Sequence, residues 1–161
     1  MGIVETALKY EGFPTMKYQD PDVGNTPKAF DCSGFVQWVL LESGIAIPNV
    51  PGTDRMLRHA ANFFDSLGFY IHEECREPGD LLFMSRVGYR PTHVAVYLGD
   101  DEMIHVTRKT GVARAVISDY CGERQPKFRP EKGYPQIYVR NPIGYKRVEI
   151  SPGDRPQEPH Q

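Results

Sequence analysis

Apolar positions along the chain change their period near Gly68. Upstream of it they recur every three or four residues. Ile3, Val4, Ala7 and Leu8 mark a short amphipathic helix over residues 3–10, closed by Gly12 and Pro14. Phe35, Val36, Val39 and Leu40 form one buried stripe of a second helix, which starts at Asp31, a good N-cap, and stops at Gly44. A third helix is predicted after Thr53, with Met56, Leu57, Ala60, Ala61, Phe64 and Leu67 at helical spacing and Gly68 at its end; His59 lies beside that stripe as a surface or boundary residue. Residues 15–29 contain DPDVGNTPK, which cannot sustain a regular element and predicts a loop.

Downstream of Gly68 the period approaches two, and β-branched and aromatic residues dominate. Strands are predicted at FYIH (69–72), DLLFM (80–84), THVAVYL (92–98), EMIHVT (102–107), VARAVI (112–117) and QIYV (136–139). The turns Pro78-Gly79-Asp80 and Gly99-Asp100-Asp101 join some of them. Helices first and strands afterwards imply an α+β domain, with N-terminal helices packed on a mainly antiparallel sheet, rather than a doubly wound one. The domain is expected over residues 1–150. Residues 151–161, SPGDRPQEPHQ, hold three prolines and no large apolar side chain and are expected to form a disordered tail.

Composition narrows the functional classes. A chain of 161 residues buries about 70% of its unfolded surface, enough for a core without metal or disulfide staples. Nineteen basic against 21 acidic residues, net charge −2, argue against nucleic acid or anionic lipid as the partner. No apolar stretch approaches the ~20 residues that span a bilayer, and the start, MGIVETALKYEG, lacks a basic region followed by an apolar one. Three cysteines, Cys32, Cys75 and Cys121, cannot all pair and lack C-x-x-C spacing, so a free thiol is expected.

Cys32 follows the predicted N-cap directly. Unpaired amides and the helix dipole there favour an anion and predict a lowered thiol pKa, and the same terminus can donate an amide to an oxyanion. Buried packing is the alternative reading of such a cysteine. A thiol nucleophile needs a general base and a group that orients it, and His93 and His105 lie on two consecutive predicted strands. Their interval, 105 − 93 = 12, is even, and the turn between them is short. In an antiparallel hairpin they share a face if paired residue numbers sum to 198, directly opposite, or 200, diagonal; a sum of 201 separates them. Cys75 and Cys121 open no capped helix and read as packing thiols. Zinc binding by Cys32, His93, His105 and Cys121 is a weaker alternative, since the spacing matches no common zinc pattern, and neither metal nor cofactor is expected.

The segments PKAFDCSGFVQWVLLESGI, EPGDLLFM and THVAVYLGDDEMIHVT, in this order over roughly residues 5–120, resemble the NlpC/P60 family of papain-like cysteine peptidases. The resemblance implies Cys32 as nucleophile, His93 as general base and His105 as the residue that orients it. It also implies that Asp31 and Ser33 help hold a substrate's free amino end, although both residue types equally serve as caps. An upstream Tyr is implied near the oxyanion. Tyr18 is the candidate, followed by Gln19-Asp20-Pro21 where the family has Trp-Gly-Gly, and Tyr10 is a rival. The implied substrate is a bacterial cell-wall peptide or muropeptide, cut between the γ-carboxyl of D-glutamate and the diamino acid. Acyl transfer, protein deamidation or an inactive assembly module are the alternatives the same fold allows. With no export pattern in view, a cytoplasmic site is expected, or delivery to the wall or periplasm by a non-classical, phage or type VI secretion route.

Overall fold

The computed structural model describes residues 2–15, 27–85, 90–121 and 141–149. Three helices, α1 (Ile3–Lys9), α2 (Cys32–Glu42) and α3 (Ala60–Ser66), precede strands β1 (Phe69–Ile71), β2 (Leu81–Ser85), β3 (His93–Gly99), β4 (Glu102–Thr107) and β5 (Gly111–Val116); a short helix α4 (Ile117–Cys121) and strand β6 (Asn141–Arg147) follow. The six strands form one sheet of order β1-β6-β2-β3-β4-β5, every neighbouring pair antiparallel. This is the α+β architecture the sequence predicts. The predicted strand at 136–139, Tyr18 and the 151–161 tail lie outside the described residues.

Alternation along the strands buries both faces of the sheet. Leu81, Phe83, Val94, Val96, Ile104 and Val106 join Phe35, Val36, Val39 and Leu40 of α2 in the larger core, whereas Leu82, Met84, Ala95, Tyr97 and Met103 join Ile117 and Cys121 of α4 in the smaller one. Helix α2 ends in a Schellman motif: Gly44 takes φ 84°, Ile45 N–H donates to Leu40 O and Gly44 N–H to Leu41 O, both at 3.0 Å. Near the same end of α2, Tyr10 is buried and its hydroxyl donates to Glu42 Oε1 at 2.8 Å while accepting from Trp38 Nε1 at 2.8 Å. Tyr10 therefore pins α1 to the C-terminal half of α2, at the end away from Cys32.

Three local expectations change. Helix α1 buries Thr6 and Ala7 and leaves Leu8 exposed. Helix α3 starts only after His59, because residues 48–57 close a turn in which Val50 N–H donates to Arg55 O and Leu57 N–H to Pro48 O; Phe63, not Phe64, takes the fully buried position. Strand β6 was not predicted at all. Its Pro142, which has no N–H to donate, pairs with Met84 at the register shift between Phe83 and Met84, and β1 pairs only with Tyr145 to Arg147, short of that position. Arg147 then ties the end of β6 to the predicted turn, with Nε and Nη2 donating to the buried Asp80 carboxylate at 2.9 and 3.0 Å.

Candidate active site

Asp31 caps α2 as its sequence predicts, its Oδ1 accepting Gly34 N–H at 2.6 Å. Cys32 is thus the first helical residue. Strand β3 packs against α2, and the backbone amides of Val94 and Ser33 favour the Cys32 anion. The pairing between β3 and β4 runs Gly99↔Glu102, Tyr97↔Met103 and Val96↔Ile104 and ends there, so the last paired residues sum to 200. With that register His93 and His105 are diagonal neighbours on the face opposite Val94 and Ile104. Their rings meet: His93 Nε2 lies 2.8 Å from His105 Nδ1, and both residues are buried.

This contact orders the imidazoles. If His93 Nε2 donates to His105 Nδ1, His93 Nδ1 carries a lone pair and can accept a proton, and His105 carries its own proton on Nε2. Tyr120 of α4 adds an aromatic wall, its ring edge-on to His105 at 4.7 Å and 6.0 Å from His93. The sequence gives no signal for Tyr120, because a five-residue helix after a strand has no readable periodicity.

One electrostatic expectation is reversed. Burial pushes the Cys32 thiol above its ordinary value of 9.0, and the Asp31 carboxylate adds to the rise; the Val94 and Ser33 amides and the Arg58 guanidinium work in the opposite direction but do not prevail. The helix start considered alone predicts the contrary, because it leaves out the wall of the sheet and the charge at the cap.

Asp31 and Ser33 are both engaged by a residue the sequence reading passed over. Arg58, buried, donates from Nη2 to Asp31 Oδ1 and Oδ2, each at 2.9 Å, and from Nη1 to Ser33 Oγ at 2.8 Å. Its place was read as part of a third helix, whereas it precedes α3 and turns inward. Among the described residues no three His, Cys, Asp or Glu side chains are grouped to hold a metal ion, and no helix is long and apolar enough to cross a membrane. None of Cys32, Cys75 and Cys121 is in a disulfide.

The NlpC/P60 family model matches residues 23–129, a span that holds Cys32, His93 and His105. The chain belongs to the NlpC/P60 family. A gamma-DL-glutamyl hydrolase of Bacillus subtilis is 35% identical over 107 residues, covering 64% of this chain and 23% of its own length. Among solved structures, a lipoprotein-like NLP/P60 family protein of Staphylococcus aureus superposes with a TM-score of 0.58 at 29% identity, covering 91% of this chain and 40% of that one. The NlpC/P60 domain of the peptidoglycan hydrolase SagA gives a TM-score of 0.53 at 31% identity, covering 74% of this chain and 90% of that one. This NlpC/P60 chain thus spans less than half the length of the first two relatives and nearly all of the third domain.

Proposed function

We propose that this NlpC/P60 domain is a cysteine endopeptidase that hydrolyses an amide bond of peptidoglycan stem peptides, the bond between the D-glutamate γ-carboxyl and the diamino acid. The observation that carries the reading is the 2.8 Å contact between His93 Nε2 and His105 Nδ1, on the strand whose Val94 amide favours the Cys32 anion. It orients His93 so that Nδ1 can serve as base to a thiol at the helix start.

In this mechanism His93 Nδ1 takes the Cys32 proton as the sulfur attacks the carbonyl carbon. The tetrahedral oxyanion forms beside the amides of the α2 terminus, and His93 returns the proton to the leaving amine. Water, deprotonated by the same nitrogen, then cleaves the thioester. His105 holds the His93 tautomer and accepts from the imidazolium, the role a carboxylate plays in a serine hydrolase triad. Asp31 keeps part of its carboxylate open to solvent beyond Arg58 and is the surface a substrate amine would meet. The names of the Bacillus hydrolase and of SagA support the substrate class and the γ-glutamyl bond.

Mass spectrometry of diaminopimelate- and lysine-type muropeptides, incubated with wild type and with folded Cys32→Ala, tests the reading. Fragments split after D-glutamate with wild type alone are expected. No change in any muropeptide, with Cys32 still open to alkylation, would reject the wall substrate and favour acyl transfer or a protein target.

A further inference from the structure

The first turn of α2 is held from outside the helix. Arg58 arrives from the turn before α3 and reaches both neighbours of Cys32 with one guanidinium: Nη2 spans the two Asp31 oxygens at 2.9 Å each, and Nη1 meets Ser33 Oγ at 2.8 Å. The fork is planar and rigid, so two contacts on either side of one residue fix the path of the backbone between them. Gly34 is part of the same arrangement. A Cβ there would stand 2.7 Å from Arg58 Nη2 and 2.7 Å from Asp31 Oδ1, so the glycine leaves the room through which the guanidinium reaches the cap.

The charge of the pair matters as much as its geometry. Asp31 is a carboxylate one residue from the sulfur, and its field opposes any negative charge that develops on Cys32, while Arg58 opposes Asp31. The other groups acting on the thiol are the Val94 and Ser33 amides, which favour its anion. Without Arg58 the cap would carry a half-buried, uncompensated negative charge beside the nucleophile.

We infer that Arg58 is a positioning residue for the nucleophile: it clamps Asp31 and Ser33 on either side of Cys32 and cancels the charge of the Asp31 cap during attack. This deepens the reading of Cys32 as nucleophile and rests on it. Arg58 itself need not touch substrate, and the three residues Asp31, Gly34 and Arg58 act as one unit around the sulfur.

The test follows alkylation of Cys32 by iodoacetamide as a function of pH, read by peptide mass spectrometry, with the exposed Cys75 as reference in the same digest. Arg58→Met is expected to slow Cys32 alkylation at neutral pH by about tenfold and to leave Cys75 unchanged. The double variant Asp31→Asn with Arg58→Met, which removes both charges, is expected to return to within about threefold of wild type. Gly34→Ala, whose methyl displaces the fork, is expected to act like Arg58→Met and decides the matter if that variant does not fold. On muropeptides the Arg58→Met loss is expected in kcat, with KM within about twofold. A wild-type alkylation profile in folded Arg58→Met or Gly34→Ala, or a double variant as slow as the single one, overturns the inference. Alkylation needs no substrate, so wild type that cleaves no muropeptide would reject the peptidase reading while the effect of Arg58 on Cys32 was still read.

Discussion

Replacing His105 by Ala removes the acceptor 2.8 Å from His93 Nε2 and nothing that contacts the reacting carbonyl in the proposed mechanism. The loss can be worked out from the change in that bond along the reaction. Before proton transfer it joins two neutral rings and contributes about 1 kcal/mol; once His93 is an imidazolium the bond is charge-assisted and contributes about 1.5–3 kcal/mol. Only the difference, about 0.5–2 kcal/mol, lowers the barrier, which corresponds to a fall in kcat of about 2- to 30-fold. Cys32→Ala, by contrast, removes the covalent route altogether. The same truncation leaves a buried His93 N–H unpaired, at a stability cost of about 1–3 kcal/mol, or about 2–4 °C in Tm for each kcal/mol. His105→Gln, whose amide oxygen can accept from Nε2, should recover part of both losses. The assay is the initial rate of muropeptide cleavage by mass spectrometry alongside thermal unfolding of each variant. A folded His105→Ala protein as inactive as Cys32→Ala, or as active as wild type, would refute this account of the pair.

Further outcomes follow from named contacts. Phe83, fully buried between the sheet and the ring of Phe64, should cost about 3–5 kcal/mol as Phe83→Ala in chemical denaturation, and no measurable loss would contradict the core described. Gly111→Ala should destabilise markedly, because φ there is 66° and a Cβ would run into the Phe13 carbonyl oxygen; unchanged Tm would count against that approach. Burial pushes the Glu42 carboxyl up, but bonds from Lys9 and Tyr10 outweigh it and hold it below its ordinary 4.5. Its stabilisation is therefore complete above that value and lost as pH falls through the folded pKa, so Glu42→Gln should flatten the acid limb of a Tm–pH curve. The raised Cys32 thiol gives the opposite limb: its contribution is present below 9.0 and is lost as pH rises past it, so Cys32→Ala should soften the alkaline fall in Tm, leaving the part due to Tyr10 and Tyr145, whose hydroxyls burial also pushes up.

Much of the fold was legible because its signals are local. Asp31 as a cap, Gly44 as a helix stop, and the period-two runs of β2 to β5 are each decided by a few neighbouring residues. The histidine pair was legible for a different reason: parity of spacing across a short turn limits the register to a few values, and the observed sum of 200 is one of the two that bring the rings to one face. What escaped depends on distant partners. Strand β6 is built around a proline that only the bulge opposite Met84 makes tolerable, and α3 loses its first turn to a loop closed by Pro48 and Leu57. Arg58 carried no motif of its own; its role exists only because residue 58 meets residues 31 and 33 in space.

The site forms where backbone pairing stops. Between Val96 and Ile104 the β3–β4 ladder closes its last pair, and beyond it two side chains, His93 and His105, bridge the strands. Burial raises the thiol above its ordinary value, so in the proposed mechanism its proton must leave during attack. That requirement explains why the acceptor has to be oriented in advance. In the proposed mechanism His93 is held by His105 at Nε2 and receives the Cys32 proton at Nδ1 as the carbonyl arrives.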